Sequence, residues 1–208
     1  MKRVRLIGLT GQSGAGKSTA AKVFEQNGFT VINADELVKK VYAPNSPCLF
    51  AISSRFGRDI INTDGTLNRV LLAQRAFSSM ENTAALNEIV HPFVLSEMLS
   101  ELKAADGIAV FDAPQLFESG IDAVCDLIVS VIADEDVRIK RIIRRDGITE
   151  AQARERINAQ HSEEFFKSNS DFIIENNTEG DLEQKTLEVI AGVLKTLNLG
   201  ETTETEVM

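Results

Sequence analysis

One stretch near the start of the chain limits what the rest can be: Gly8-Leu9-Thr10-Gly11-Gln12-Ser13-Gly14-Ala15-Gly16-Lys17-Ser18-Thr19. Gly11, Gly16, Lys17 and Ser18 stand at the spacing G-x-x-x-x-G-K-[ST]. Glycines let the backbone curl so that successive N–H groups point inward at phosphate oxygens, at the positive end of a helix. In such a loop Lys17 spans the β- and γ-phosphates and the Ser18 hydroxyl ligates Mg²⁺. The motif requires a strand before it and a helix after it. Val4 to Leu9 reads as a short buried strand, and Lys17 to about Gln26 as a helix with Ala20, Ala21, Val23 and Phe24 as its apolar stripe. A glycine-rich turn without a ligand is the plainer alternative, and that context speaks against it.

The remaining pattern is that of an α/β chain. Asn27-Gly28 stops the first helix, and Phe29 to Asn33 is a second strand, completing a strand–helix–strand unit expected to be parallel and right-handed. From Pro44 to about Ala105 the pattern is helical, with a turn at Asn62-Thr63-Asp64-Gly65 and no strand, as in an insertion beside a sheet. Further strands are expected at Gly107–Asp112, Asp126–Ala133 and Asp171–Glu175. Helices are expected over Asp134–Arg145, from the capping-box spacing at Thr149, and over Gly180–Leu197. The polar, acidic ending is expected to be disordered.

In a parallel sheet all carboxyl ends emerge on one edge, where ligands bind. The phosphate loop, Asp35 just past the second strand and Asp112 at the end of the third are expected there. Carboxylates beside a triphosphate are repelled unless a metal or a substrate proton compensates them. One could accept the proton of an attacking hydroxyl and the other hold a metal or its water shell. For Asp35 an N-cap on the following helix is an equal alternative. Arg138, Arg141 and Arg145 are spaced i, i+3, i+7 on one helical face, with Lys140 and Arg144 nearby. They could fork onto phosphate oxygens from a flap, or form a solvated basic last turn. At His91-Pro92 a kink or a helix start with a capping histidine is favoured over a substrate hydrogen bond. No partner for His161 is evident.

With 22 Lys and Arg against 31 Asp and Glu, the net charge of −9 argues against adhesion to nucleic acid or to an anionic membrane. Cys48 and Cys125 match no metal or redox spacing and read as reduced thiols. The apolar run behind Met1-Lys2-Arg3-Val4-Arg5 is too short for a signal-peptide core, and no stretch reaches membrane-spanning length, so a cytoplasmic protein is expected. The D-x-x-G and N-K-x-D patterns of a regulatory GTPase are absent from the sequence. Phosphoryl transfer to a small acceptor is the leading reading; another small-molecule or nucleoside kinase and a non-enzymatic nucleotide-binding regulator are the alternatives.

The chain resembles the dephospho-coenzyme A kinase family from about Leu6 to Val189. The resemblance rests on the loop, on Asn33-Ala34-Asp35-Glu36-Leu37-Val38, Phe56-Gly57, Asp64-Gly65, Asn68-Arg69 and Ile89-Val90-His91-Pro92. It extends through Asp112-Ala113-Pro114-Gln115-Leu116-Phe117-Glu118, Arg141 to Asp146, Gln160 and Asp171-Phe172-Ile173-Ile174-Glu175-Asn176. It implies a P-loop kinase-like, three-layer α/β fold with a five-stranded parallel sheet. Within a single domain over 1–199, the core would take about 1–35, 107–137 and 171–199. A helical acceptor-binding insertion would take about 36–106 and a small helical lid about 138–165, with 200–208 as the tail. The implied reaction is phosphorylation of the ribose 3′-hydroxyl of dephospho-CoA by ATP, with Mg²⁺. On that reading Gly11, Gln12, Ser13, Gly14, Ala15, Gly16, Lys17, Ser18 and Thr19 hold ATP, with Asn176 near the adenine. Asp35 takes the hydroxyl proton, Ser18 ligates the metal, and Arg141 and Arg145 clamp phosphates. Asp35, Arg69, His91, Asp112 and Phe117 surround or support the acceptor. ATP and dephospho-CoA would be the partners, and a monomer is favoured. Two departures, Gln115 for a usual leucine and Asn68 for a usual aspartate, bear on the acceptor pocket.

Overall fold

The computed structural model describes residues 4–105, 107–178 and 180–197. The expected tail at 200–208 lies outside them. The chain divides into two compact units, Met1–Val31 with Asp106–Met208, and Ile32–Ala105.

The sheet is built from β1 (Arg5–Gly11), β2 (Thr30–Asn33), β3 (Ile108–Asp112), β4 (Leu127–Ile132) and β5 (Phe172–Glu175) in the order β2-β3-β1-β4-β5. β1 pairs in parallel with β3 and β4, and β4 with β5. Every residue of β1 after Arg5 is buried, as a strand covered on both faces requires. The β1–β3 register sets Leu9 opposite Asp112, and the β1–β4 register sets Gly11 opposite Val131. The phosphate loop therefore leaves the sheet between two strands that both continue to its carboxyl edge.

Helix α1 (Lys17–Gln26) buries Ala20, Ala21, Val23 and Phe24, the expected stripe, and Gly28 at φ 85° turns the chain into β2. Phe24 meets Phe29 edge to face, with ring centroids 5.2 Å apart. These side chains join Ile7, Leu9, Val129, Val131, Ile174 and Ile190 in the core of the first unit. Burial of each large side chain stabilises the fold by about 1.5–3 kcal/mol.

The second unit is helical, as expected: α2 (Ala34–Val41), α3 (Pro47–Phe56), α4 (Arg69–Ala76) and α5 (Met80–Ala104), with a bridge between Ile61 and Leu67 closing the Asn62–Gly65 turn. Two local expectations are corrected here. The N-cap of α2 is Asn33, whose side chain accepts from the Glu36 N–H at 3.1 Å, so Asp35 is not the cap. His91-Pro92 does not start a helix; it lies inside α5, a helix of 25 residues. Leu86, Val90, Val94 and Met98, four apart, are buried along that helix and carry it through the proline. Asn68 caps α4 by accepting from the Leu71 N–H at 3.0 Å, so this departure retains a capping oxygen.

Back in the first unit, α6 (Glu135–Asp146) and α7 (Glu150–Asn158) pack through Ile139, Ile142, Ala153 and Ile157, a small core of their own. The capping box at Thr149 forms as expected, with Gln152 completing it. The short α8 (Glu163–Ser168) was not expected, and α9 (Leu182–Thr196) closes the unit.

Candidate active site

The loop from Gly11 to Gly16 is held by three side chains from elsewhere in the first unit and by its own Gln12. Gln12, 3% exposed, turns its Oε1 onto the Ala133 N–H at 3.2 Å, just past β4. The Ser13 N–H donates to Oε1 of Gln160 at 2.8 Å. Asn176, just past β5, donates from Nδ2 to the Ala15 carbonyl at 2.7 Å. Arg141 of α6 donates to the Asn176 carbonyl at 2.9 Å and reaches the Gly14 carbonyl at 3.5 Å. The loop is thus shaped before any ligand arrives, which lowers the cost of organising donors around an anion.

Gly16 caps α1 at φ 107°, a left-handed conformation that glycine alone adopts cheaply. A Cβ there would lie 2.6 Å from Nδ2 of Asn176 and 3.0 Å from Cδ2 of Leu182. Gly16→Ala is therefore expected to lower unfolding stability by about 1–2 kcal/mol from backbone strain. It should also weaken ATP binding at least tenfold by pushing Asn176 off Ala15. Thermal unfolding and ATP titration check this, and wild-type values in both would show that the loop has room to give.

At the front of the loop, Lys17 forms an ion pair and hydrogen bond with Oδ1 of Asp112. Asp112 is 3% exposed, so the carboxylate expected near the loop is both buried and directly engaged with its lysine. Ser18 and Thr19 are exposed at the start of α1. Among the described residues no group of three or more His, Cys, Asp or Glu side chains could hold a metal ion. A hard cation would therefore come with most of its ligands from phosphate and water, which is how Mg²⁺ is commonly held. The Ser18 hydroxyl and the Asp112 carboxylate are oxygen donors of the right class.

The arginines of α6 separate. Arg141 is partly buried against the loop and Asn176. Arg145 is exposed and forks onto Asp146 through Nε and Nη2 at 2.7 and 2.8 Å, while Arg156 binds the same carboxylate. These bonds, led by Arg145, pull Asp146 down to about 2. Arg138 is buried, and Lys140 and Arg144 are exposed.

Phe117 follows Asp112 by one turn of chain and meets Phe165 edge to face at 5.1 Å. His161 stacks on Phe165 at 3.8 Å and sets Nε2 3.5 Å from Oε1 of Glu118, supplying the partner that sequence did not reveal. Gln115 is exposed. In the second unit Asp35 is exposed on the first turn of α2, and His91 is exposed on α5. Arg69 opens α4 with its guanidinium 5.8 Å from the Tyr42 ring centre. Burial pushes the Tyr42 hydroxyl up to about 12. Both cysteines are free thiols, and burial pushes Cys48 to about 11 and Cys125 to about 12.

Gln160 and the buried part played by Gln12 are the loop supports that sequence reasoning missed. Gln160 carried a signal only as a matched position, since the hydrogen bond joins residues 147 apart in the chain.

A family model described as dephospho-CoA kinase matches residues 5–181. A dephospho-CoA kinase of Corynebacterium glutamicum is 38% identical over 197 residues, covering 92% of this chain and 98% of that protein. A crystal structure of a Thermus thermophilus protein superposes with TM-score 0.82 at 27% identity, covering 93% of this chain and 99% of that one. The dephospho-CoA kinase of Campylobacter jejuni shares the fold, with TM-score 0.61 at 23% identity over 92% of this chain and 98% of that one.

Proposed function

The chain belongs to the dephospho-CoA kinase family, and from that premise we propose that it transfers the γ-phosphoryl group of ATP to the ribose 3′-hydroxyl of dephospho-CoA, giving CoA and ADP. The observation that carries this reading is the family match over residues 5–181, which takes in the loop, the Asp112–Glu118 block and Asn176 together.

The residue roles in this reading carry over from the family resemblance, and the chemistry of each side chain supports them. The N–H groups of residues 13 to 19 and the Lys17 ammonium hold the triphosphate and neutralise the charge that develops on the transferring group. Asp112 orients Lys17 through their ion pair. The Ser18 hydroxyl and the Asp112 carboxylate are the oxygen donors that would hold Mg²⁺ or its waters, and the ion would supply further charge neutralisation at the phosphates. Asp35 accepts the 3′-hydroxyl proton as the oxygen attacks phosphorus in line with the departing ADP oxygen. Its exposure and its freedom from capping duty support that role. Arg141 and Arg145 clamp phosphates from the lid, and Arg145 must leave Asp146 to do so. The Asn176 amide is engaged with Ala15 and Arg141, so its place near the adenine is that of a support. The resemblance assigns Arg69 and His91 of the second unit and Phe117 of the first to the acceptor. No helix among the described residues is long and apolar enough to cross a membrane. The net charge of −9 repels anions overall, so Lys17 and the α6 arginines supply the local positive charge that anionic substrates need.

A coupled assay of ADP release tests the reading, with Mg-ATP and a panel of dephospho-CoA, nucleosides and sugar acids. Turnover with dephospho-CoA and no comparable rate elsewhere is expected. Turnover confined to another acceptor would sink the assignment.

A further inference from the structure

Arg138 is 6% exposed, and its Nε and Nη1 are buried without a hydrogen-bond partner among the described residues. Two carboxylates bear on it, Glu135 one turn earlier on α6 and Glu163 at the start of α8. Each also pairs elsewhere, Glu135 with Arg154 at 2.7 Å and Glu163 with Lys167 at 2.8 Å, and neither hydrogen-bonds Nε or Nη1 of Arg138. Burial accordingly disfavours the charged form of Arg138. A buried guanidinium with two nitrogens left without hydrogen-bond partners is costly, and native structures seldom keep one without a use.

Its location supplies the use. The backbone of Arg138 packs on the phosphate loop: a Cβ on Gly14 would stand 2.9 Å from the Arg138 carbonyl oxygen and 3.1 Å from its Cα. One turn further along the same helix, Arg141 reaches the Gly14 carbonyl. A planar guanidinium with free N–H groups suits phosphate oxygens better than any other ligand that the reaction brings to this loop.

We propose that Arg138 is a phosphate-binding residue, whose unpartnered Nε–H and Nη1–H groups are completed by oxygens of a bound substrate. This rests on the reading of the loop as the ATP site. The oxygens belong to the triphosphate of ATP or to the diphosphate of dephospho-CoA, which offer the same chemistry.

The test is Arg138→Met in the full chain, with thermal unfolding of the ligand-free protein, calorimetric titration of ATP and of dephospho-CoA, and steady-state kinetics. Ligand-free unfolding temperature should stay level or rise, because an unpaired buried cation gives way to an apolar side chain. Affinity for one substrate should fall about 10–100-fold, the scale of a lost charged hydrogen bond. Loss confined to ATP assigns the triphosphate, and loss confined to dephospho-CoA assigns the diphosphate; each supports the proposal. Unchanged binding of both substrates, with a lowered unfolding temperature that Glu163→Gln reproduces, would make Arg138 a structural partner of α8 and overturn it. A wild-type protein that binds neither substrate overturns the functional reading and the proposal together, whereas wild-type binding with an indifferent Arg138→Met overturns the proposal alone.

Discussion

Asp35→Asn should lower turnover with dephospho-CoA by about 10²–10⁴ while leaving ATP affinity and fold stability near wild type, the range expected for loss of a general base. The substitution keeps size and polarity and removes only the capacity to take a proton. It leaves the α2 cap alone, because that cap is Asn33, accepting from the Glu36 N–H. The two residues can thus be separated experimentally. Asn33→Ala should cost about 0.5–2 kcal/mol of stability through the lost cap. Single-turnover mixing with excess enzyme reports the chemical step, ATP titration the binding, and urea unfolding the stability. If Asp35→Asn turned over like wild type, the proton would have another acceptor and Asp35 would be an exposed first-turn acid and nothing more.

Local signals made most of the first unit legible. The five strands fall within about two residues of their expected places, because each is a short apolar run bounded by turn chemistry. The Thr149 capping box and the Gly28 stop are read from adjacent residues and form as read. Errors came where packing overrode a local preference. His91-Pro92 reads as a kink or a helix start, and the buried positions Leu86, Val90, Val94 and Met98 rule out the start by holding one helix through it. Asp35 and Asn33 are both good caps, and the chain geometry at the end of β2 chooses the earlier one. The six residues of α8 are too few for periodicity to reveal.

The site was legible in its parts and less so in its connections. Gly11, Gly16, Lys17 and Ser18 announce themselves by spacing, and Asp112 by its place at a strand end. Ion pairs and hydrogen bonds between residues about 100 or more positions apart, such as Lys17 with Asp112 or Ser13 with Gln160, leave no local trace. Arg138 shows the limit well. In a basic run it reads equally as a phosphate fork or as part of a solvated turn, and nothing local shows that it is buried with Ile139 and Ile142.

The Lys17–Asp112 pair carries the other large expected effect. Lys17→Met should cut turnover by at least about 10²–10³, the cost of removing a single preorganised donor from a developing charge. It should also weaken ATP binding. Asp112→Asn keeps the lysine but releases its orientation, and a misplacement of about 1 Å is worth about 10²-fold in rate. Stability distinguishes the electrostatic link from two separate roles. The side chains of Lys17 and Asp112 are 14% and 3% exposed, so the pair lies where solvent screens it little. Each single substitution should therefore lose about 1.5–3 kcal/mol, the value of a hydrogen bond to a charged group. The double substitution should lose less than the sum, with a coupling of about 0.5–3 kcal/mol. Activity should not follow: the double variant stays as inactive as Lys17→Met, because restored packing does not return a cation to the phosphates. Urea unfolding of the four proteins measures the cycle, and the ADP-release assay measures the rate. Additive stability losses would mean that Lys17 does not rest on Asp112 in solution, and the orienting role given to Asp112 would fall with that result.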